Sequence, residues 1–572
     1  MEPTQTTDLP STGLSPALVA IALGAGGVTI AVGWHAHGEV RADLATERDL
    51  HGEDFVGSSV CRRCHEDHHE SWARTHHRRM TQAVSEEAVV GAFDGSELEY
   101  RGWTATMARD GDDFVVSVAD ANGSPVTRDR VAMTIGSRRI QQYVAERDGV
   151  FVRLPVAWHI EEGRWMHMNG AFLTPDPTEG ADFERHVTRW NDNCVFCHNV
   201  GPNPGLRDGP DGPRFETEVA ELGIACEACH GPGAEHVSNN RNPIRRYALH
   251  LGDDRDPTVV NPDRLDANRS ADVCGRCHGQ RKTADVRPFL RRGDPFVPGD
   301  DLARFSEPLW RDTELNGEAI FAARFWPSGT PRLTAYEYQG WLQSPCTQEG
   351  ELSCTTCHGM HGADPEGQVR ESAIHEGRLG DGACIDCHEG PGTDDHGAHD
   401  FAVACVDCHM PRVVYGVVAA HRSHRVSEPA VRDTQGRAPV HGEPNACLLC
   451  HLDWGEDWGE RALFGGDPVE RAVVAAAWGR SSAVDEATAR GHLLEAMASD
   501  PYPAVRRIAF RALRARIDDA PAWITFDPTG GERERRAQVA ALAAETEHVP
   551  VDAERVGALR ANAETLAIEI GE

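Results

Sequence analysis

Positive charge is scarce in this chain of 572 residues. Its 57 Lys and Arg stand against 90 Asp and Glu, for a formal net charge of -33, and Lys282 is the single lysine. So acidic a chain lacks the basic footprint that nucleic acid requires, and no nucleic-acid partner is expected. Such a surface either steers basic partners or keeps the chain soluble. Aromatic residues are also few, at 6%, beside 56 glycines and 34 prolines. That composition predicts a loop-rich chain with a weak protein core. Length alone suggests about four domains.

Long apolar runs are missing apart from Leu14 to Trp34, an uncharged stretch of 21 residues. It is long enough to span a bilayer. No basic segment precedes it and no clear small-x-small cleavage site follows, so an anchor is expected rather than a cleaved signal. The first basic residue, Arg41, gives no orientation.

Spare cysteine is missing too. Of 17 cysteines, only Cys346 stands outside one repeated pattern, which leaves nothing for a separate disulfide framework. Cys346 reads as a small buried hydrophobe or a spare thiol. The other sixteen form eight Cys-x-x-Cys-His pentads: Cys61/Cys64/His65, Cys194/Cys197/His198, Cys226/Cys229/His230, Cys274/Cys277/His278, Cys354/Cys357/His358, Cys384/Cys387/His388, Cys405/Cys408/His409 and Cys447/Cys450/His451. In each, two thiols can add across the vinyl groups of one haem while the adjoining imidazole reaches its iron. Zinc ribbons and redox dithiols also use Cys-x-x-Cys, but neither needs the fifth residue. Eight histidines in eight fifth positions have a chance probability on the order of 10⁻¹¹ to 10⁻¹⁰ from composition. The expected cofactor is therefore haem c, eight groups covalently attached, with porphyrins supplying much of the apolar interior.

The expected organisation runs in order along the chain. Residues 1–13 form a cytoplasmic polar N-terminus and 14–34 the transmembrane anchor or signal segment. Residues 35–96 hold the first haem site, where HEDHHESWARTHH adds histidines on a helix-like segment. Residues 97–168, with alternating stretches such as DDFVVSVAD broken by Gly and Asn-Gly turns, read as a β-rich insertion whose His159 and His167 could reach a haem edge. Residues 169–455 form a haem-rich domain with seven pentads. In CHGPGAEH, Gly231, Pro232 and Gly233 end the haem-binding turn and deliver His236 toward a neighbouring haem, and CHGMHG repeats the design with His361. Residues 456–572 carry apolar residues at three- and four-residue spacing, an α-helical HEAT-like tail. The expected fold class is mostly α and irregular: a multihaem cytochrome c with a small antiparallel β insertion and a C-terminal α-helical repeat region.

The segments VGSSVCRRCH…WARTHH, IQQYVAERDGVFVRLPVAW, RWNDNCVFCH, GIACEACHGPGAEHV, VCGRCHGQR, YQGWLQSPC and ACVDCHMPRVVYGVV…HRSHRV…EPNACLLCH resemble, in order, one family. It is the bacterial multihaem cytochromes that couple a domain similar to the ammonia-oxidiser tetrahaem cytochrome c to C-terminal helical repeats, often tetratricopeptide. The resemblance covers residues 55–455 and implies electron transfer. Carried over by motif position, it implies distal iron ligands at His77, His236, His361, His396 or His399, and His424. His186 sits nearer to WND than the similar histidine in relatives.

Two axial imidazoles leave an iron no site for substrate, so one-electron transfer is the expected chemistry. Covalent haem attachment occurs outside the bacterial cytoplasmic membrane, which places the haem domain in the periplasm or beyond. The expectation is an electron carrier held in the inner membrane by a single pass through residues 14–34. Its redox partners would be a quinol-oxidising complex, a soluble cytochrome or a terminal reductase. The rival is a multihaem oxidoreductase of nitrite, hydroxylamine or a sulfur oxyanion with one open or weakly ligated haem. Against it, no pentad ends in lysine; for it, Lys282 or Tyr415 could serve such a haem. A third reading makes the chain an electron-transfer subunit whose helical tail recruits a partner reductase.

Overall fold

The computed structural model describes residues 52–568 except 178–181, 211, 253–254, 284, 349–351, 362–383, 385–387, 389–402, 430–441 and 518–525. Its dominant element is an antiparallel sheet of nine strands: β1 Thr81–Ala83, β2 Ser96–Tyr100, β3 Trp103–Asp110, β4 Asp113–Ala119, β5 Pro125–Ile135, β6 Ile140–Arg147, β7 Val150–His159, β8 Arg164–His167 and β9 Thr188–Arg189. β2 to β8 form a meander in sequence order, with β1 added to β5 and β9 to β7.

Local chemistry sets the hairpins. β2 and β3 are joined by Arg101-Gly102, and β6 and β7 by Asp148-Gly149, all four residues at positive φ. Two-residue turns of that hand match the right-handed twist of the flanking strands. A register shift between Val131 and Met133 lets β5 leave β4 and pair with β6, which coils the sheet. The meander is nearly closed and barrel-like. Inside it the Phe93 ring meets Phe114, Tyr143 and Trp165 edge-on, at 5.1, 5.3 and 5.1 Å between centroids.

This overturns the expected fold class. Strand makes up 21% of the structure against 38% helix, so the fold is not mostly α with a small β insertion. The sheet begins before residue 97, at Thr81, and its last strand lies beyond 168, at Thr188–Arg189. Aromatic residues cluster in its interior and again in the core shared with the C-terminal helices, so a low average conceals dense local cores.

Among the described residues six helices follow the last pentad: α1 Trp454–Gly465, α2 Pro468–Arg480, α3 Glu486–Ser499, α4 Pro503–Arg514, α5 Glu532–Glu545 and α6 Ala553–Ala561. Asp467, with Pro468 in the first turn, caps α2 by accepting from the Val469 and Glu470 N–H groups. The helices share one hydrophobic core with Ile140, Ala157, Met166 and Met168 of the sheet region and with Trp326 and Tyr415. Buried ion pairs reinforce the junction: Arg507 Nη1 lies 2.5 Å from Glu162 Oε2, and Arg506 pairs with Asp176 at 3.0 Å. The protein core is thus substantial in its own right.

The expected single-pass inner-membrane placement is also corrected. Among the described residues no helix is long and apolar enough to cross a membrane. The longest, α3 and α5, have 14 residues, about 21 Å at 1.5 Å per residue, short of a hydrocarbon core of about 30 Å. Residues 14–34, on which that expectation rested, lie outside the described residues.

Candidate haem-binding sites

Each described pentad is built on a single helical turn. The histidine N–H donates to the carbonyl of the first cysteine, four residues back, at 3.0 Å for His65, 2.8 Å for His278, 2.9 Å for His358, 2.8 Å for His388 and 2.8 Å for His451. Cys226–His230 and Cys405–His409 are helices in themselves. Positions i, i+3 and i+4 of a helix share one face. The spacing of the motif thus turns both thiols and the imidazole the same way, as one porphyrin edge and its iron require. The second pentad differs slightly, following a π-helical turn at Trp190–Cys194.

In three pentads the second cysteine lies at or beyond the end of its helical turn. Cys64 is exposed: the helix Ser58–Cys61 ends before it, and its N–H donates to the Cys61 carbonyl at 3.1 Å in a tighter turn. Cys357 is only half-buried and is the last residue of the helix Cys354–Cys357, with His358 beyond it in extended backbone. Cys450, the last residue of Ala446–Cys450, is likewise exposed.

Several pentads from distant parts of the chain lie against one another. The Cys61 thiol lies beside Cys226, Cys197 beside Cys277, and Cys274 beside Cys354. Cys229 lies within electrostatic range of Cys274 and Cys277, as Cys408 does of Cys447 and Cys450. Glu227, inside CEACH, clamps the first pentad to the third. Its carboxylate accepts from the N–H groups of Val56 and Gly57, both at 2.9 Å, and of Gly233 at 2.7 Å.

Four histidine pairs share one spacing. Ring centroids are 6.3 Å apart for His65 and His236, 6.2 Å for His278 and His77, 6.3 Å for His230 and His361, and 6.3 Å for His358 and His424. Each pair joins a pentad histidine to a histidine of another segment. Metal–imidazole bonds of about 2 Å, with each ring centre about 1 Å beyond its nitrogen, place two rings on opposite sides of one metal about 6 Å apart. The pairs therefore fit a six-coordinate haem iron. Three pairs are 27 to 32° from parallel, and His77 stands at 76° to His278. A tetrahedral zinc ion needs four donors, and among the described residues no group of three or more His, Cys, Asp or Glu converges on one point.

The second nitrogen of several of these rings is held from behind, which orients a ligand and tunes it. His236 Nδ1 lies 3.0 Å from Asp256 Oδ2, His230 Nδ1 2.7 Å from the Val260 carbonyl, and His409 Nδ1 3.0 Å from the Ser427 carbonyl. His361 Nδ1 lies 3.3 Å from Ser71 Oγ, and His278 Nδ1 faces Glu337 Oε2 at 3.7 Å. Burial and the neighbouring His278 lower His77 to about 4, so its ring is a neutral imidazole, the form that binds metal.

Other expected residues are placed elsewhere. His396, His399 and Cys387 lie outside the described residues. His167 is buried, accepting from the Asn169 N–H and hydrogen-bonded at Nε2 to the Phe183 carbonyl. His159 packs between Glu162 and the arginines of α4, and His186 faces Phe172 and Asn169. Lys282 pairs with Glu307 at 3.8 Å across a two-stranded antiparallel ladder, and the Tyr415 hydroxyl donates to the Ala171 carbonyl at 2.6 Å. Cys346 is half-buried in the helix Pro345–Gln348. Glu227 follows the first cysteine of its own pentad, where local sequence could have drawn attention to it. Asp256 and Glu337 lie far from the pentads they serve and carry no local mark.

No protein-family model matches the chain. Over 246 residues, 40% of its length, it is 23% identical to the multiheme cytochrome MtrA of Shewanella baltica (strain OS185). The chain is similar to a multihaem c-type cytochrome. The matched stretch spans 63% of that relative's length. The crystal structure of the outer cell wall cytochrome OcwA is similar with a TM-score of 0.45 and 17% identity, over 86% of this chain and 100% of that one.

Proposed function

We propose that this chain is an octahaem electron carrier in which imidazole pairs would hold at least four of the eight irons. The observation that carries this is the recurrent ring spacing of 6.2 to 6.3 Å in four pairs drawn from distant segments. His65 with His236, His230 with His361, His278 with His77, and His358 with His424 each hold one iron. Haem c supplies one-electron transfer when bound. The cysteine pairs prevent its loss, and the paired imidazoles keep the iron's geometry nearly unchanged between its two oxidation states. Contacts among the first, third, fourth, second and fifth pentads bring their sites close enough to act as one conductor. The helices after the last pentad buttress this assembly, sharing a core with the sheet and hydrogen-bonding through Ser481 to the Cys450 carbonyl. The partners are redox proteins.

A second reading rests on the second pentad. His198 is buried among neighbours that include Arg153, burial lowers it to about 4, and no imidazole among the described residues faces it at the spacing of the other pairs. An iron there would keep one face for a small ligand, as in an oxidoreductase.

Low-temperature EPR of the oxidised protein, with haem and iron quantified on the same sample, separates the readings. Eight haems per chain with only low-spin signals support the carrier. One highly anisotropic low-spin signal is expected from the crossed rings of His77 and His278, and ordinary rhombic signals from the other three pairs. A high-spin signal of one haem per chain that responds to nitrite, hydroxylamine or a sulfur oxyanion supports the second reading. Zinc in place of haem sinks both.

A further inference from the structure

The short helix Glu337–Leu342, in the segment AYEYQGWLQ, touches two of the paired sites at once. At its start the Tyr338 N–H donates to the His278 carbonyl at 2.9 Å, which brings Glu337 beside the His278 ring. Gly275, inside the fourth pentad, leaves room for this: a Cβ there would lie 2.3 Å from the Tyr338 ring. At the helix's far end Gly340 lies against the backbone of His424 and Arg425, where a Cβ would come within 2.9 Å of the His424 carbonyl carbon. Just beyond, the Ser344 hydroxyl donates to the His424 carbonyl at 2.9 Å. One helix therefore positions an imidazole of each of two sites.

Glu337 is the charged element of this brace. Its Oε2 makes no hydrogen bond and faces His278 Nδ1 at 3.7 Å as an ion pair, and its charge also acts on His424. Asp256, behind His236, offers a contrast. Its carboxylate is shared with Asn240 at 2.6 Å, the Thr258 N–H at 3.0 Å and Arg245 at 3.3 Å, so little of its charge is left for the imidazole. His230 and His409 meet only neutral carbonyls.

We propose that Glu337 is a positioning residue that makes the His278 imidazole the most electron-donating of these ligands, lowering the potential of the iron His278 holds and acting more weakly on the one held by His424. This rests on the ligation proposed above. A carboxylate behind an axial histidine strengthens its basicity and so favours the oxidised iron.

Spectropotentiometry and EPR of the fully loaded Glu337→Gln and Glu337→Asp variants test this. In Glu337→Gln the lowest midpoint is expected to rise by a tenfold change in the reduction equilibrium, about 59 mV for one electron, with the anisotropic low-spin signal altered and the haem count unchanged. Glu337→Asp, which keeps the charge at greater distance, is expected to move the same midpoint by less. Unmoved midpoints in whichever variant loads its haems overturn the proposal. A wild-type protein without the anisotropic signal would instead overturn the pairing of His278 with His77, so the two failures are distinguishable.

Discussion

The Tyr100 ring stacks on His167 with centroids 3.9 Å apart and planes 6° from parallel. Tyr100 ends β2 and His167 ends β8, so this contact joins the two ends of the meander where no backbone ladder does. Asn169 completes it by donating from Nδ2 to the Tyr100 hydroxyl at 2.9 Å. Tyr100→Phe leaves that buried amide without its acceptor and is expected to cost about 1–3 kcal/mol. Thermal unfolding followed by far-UV circular dichroism should show a lower Tm with the haem EPR signals unchanged. Altered haem signals would mean that barrel closure reaches the pentads.

Acid should weaken the same region. Burial lowers His167 to about 4, and burial with the nearby Arg507 lowers His159 to about 3, against an ordinary value of 6.5. Both are neutral in the fold and take up protons readily only when unfolded. Their stabilising contribution is complete above about pH 6.5 and is lost as pH falls through about 4 and 3. In an acid titration by circular dichroism, His167→Gln, which cannot take up that proton, should show a shallower loss of stability below pH 6.5. An unchanged slope would place the acid sensitivity elsewhere.

Glu227→Ala removes the acceptor of three backbone N–H groups at once. Leaving buried donors unpaired costs about 1–3 kcal/mol for each, and the three share one clamp, so a total of about 2–4 kcal/mol is expected. The EPR signals of the irons held by His65 and His230 should shift, because the clamp ties their pentads together. Calorimetry and EPR on the same preparation check both effects, and loss of stability without either shift would make Glu227 merely a loop anchor.

Arg507→Met removes a cation from the junction between α4 and the sheet and leaves Glu162 with Arg164 alone at 2.6 Å. Breaking a buried pair from one side is expected to cost about 3–5 kcal/mol. Limited proteolysis should then release residues beyond 456 faster than in the unaltered protein, while haem content stays constant. Equal proteolysis rates would show that the apolar contacts hold the junction without the ion pair.

How much of this was legible in the sequence depended on range. A Cys-x-x-Cys-His pentad is settled within one helical turn, so its geometry follows from five residues. Where His236 or His424 goes depends on contacts between segments far apart, and no spacing encodes them. The sheet was half legible. Alternation exposed β4, whereas all six residues of Ile140–Ala145 in β6 are buried, Tyr143 and Ala145 inside the sheet, Val144 against Trp190 and Val195, and Ile140 in the core shared with the tail, which erases any period of two. β1 and β9 have three and two residues, too few for any pattern. The tail's helices were readable from their apolar spacing, but not that they would cover the sheet.

The four histidine pairs interleave along the chain. His65 meets His236, His77 meets His278, His230 meets His361 and His358 meets His424, so loops opened early close only after later ones have opened. With these pairs as iron ligands, each haem is a staple between segments made at different times. A haem held by His65 would then wait for its second ligand until the chain had been made as far as His236. Maturation then proceeds as a series of overlapping closures, and a truncated chain ends with its last haems half-ligated rather than with a shorter finished wire.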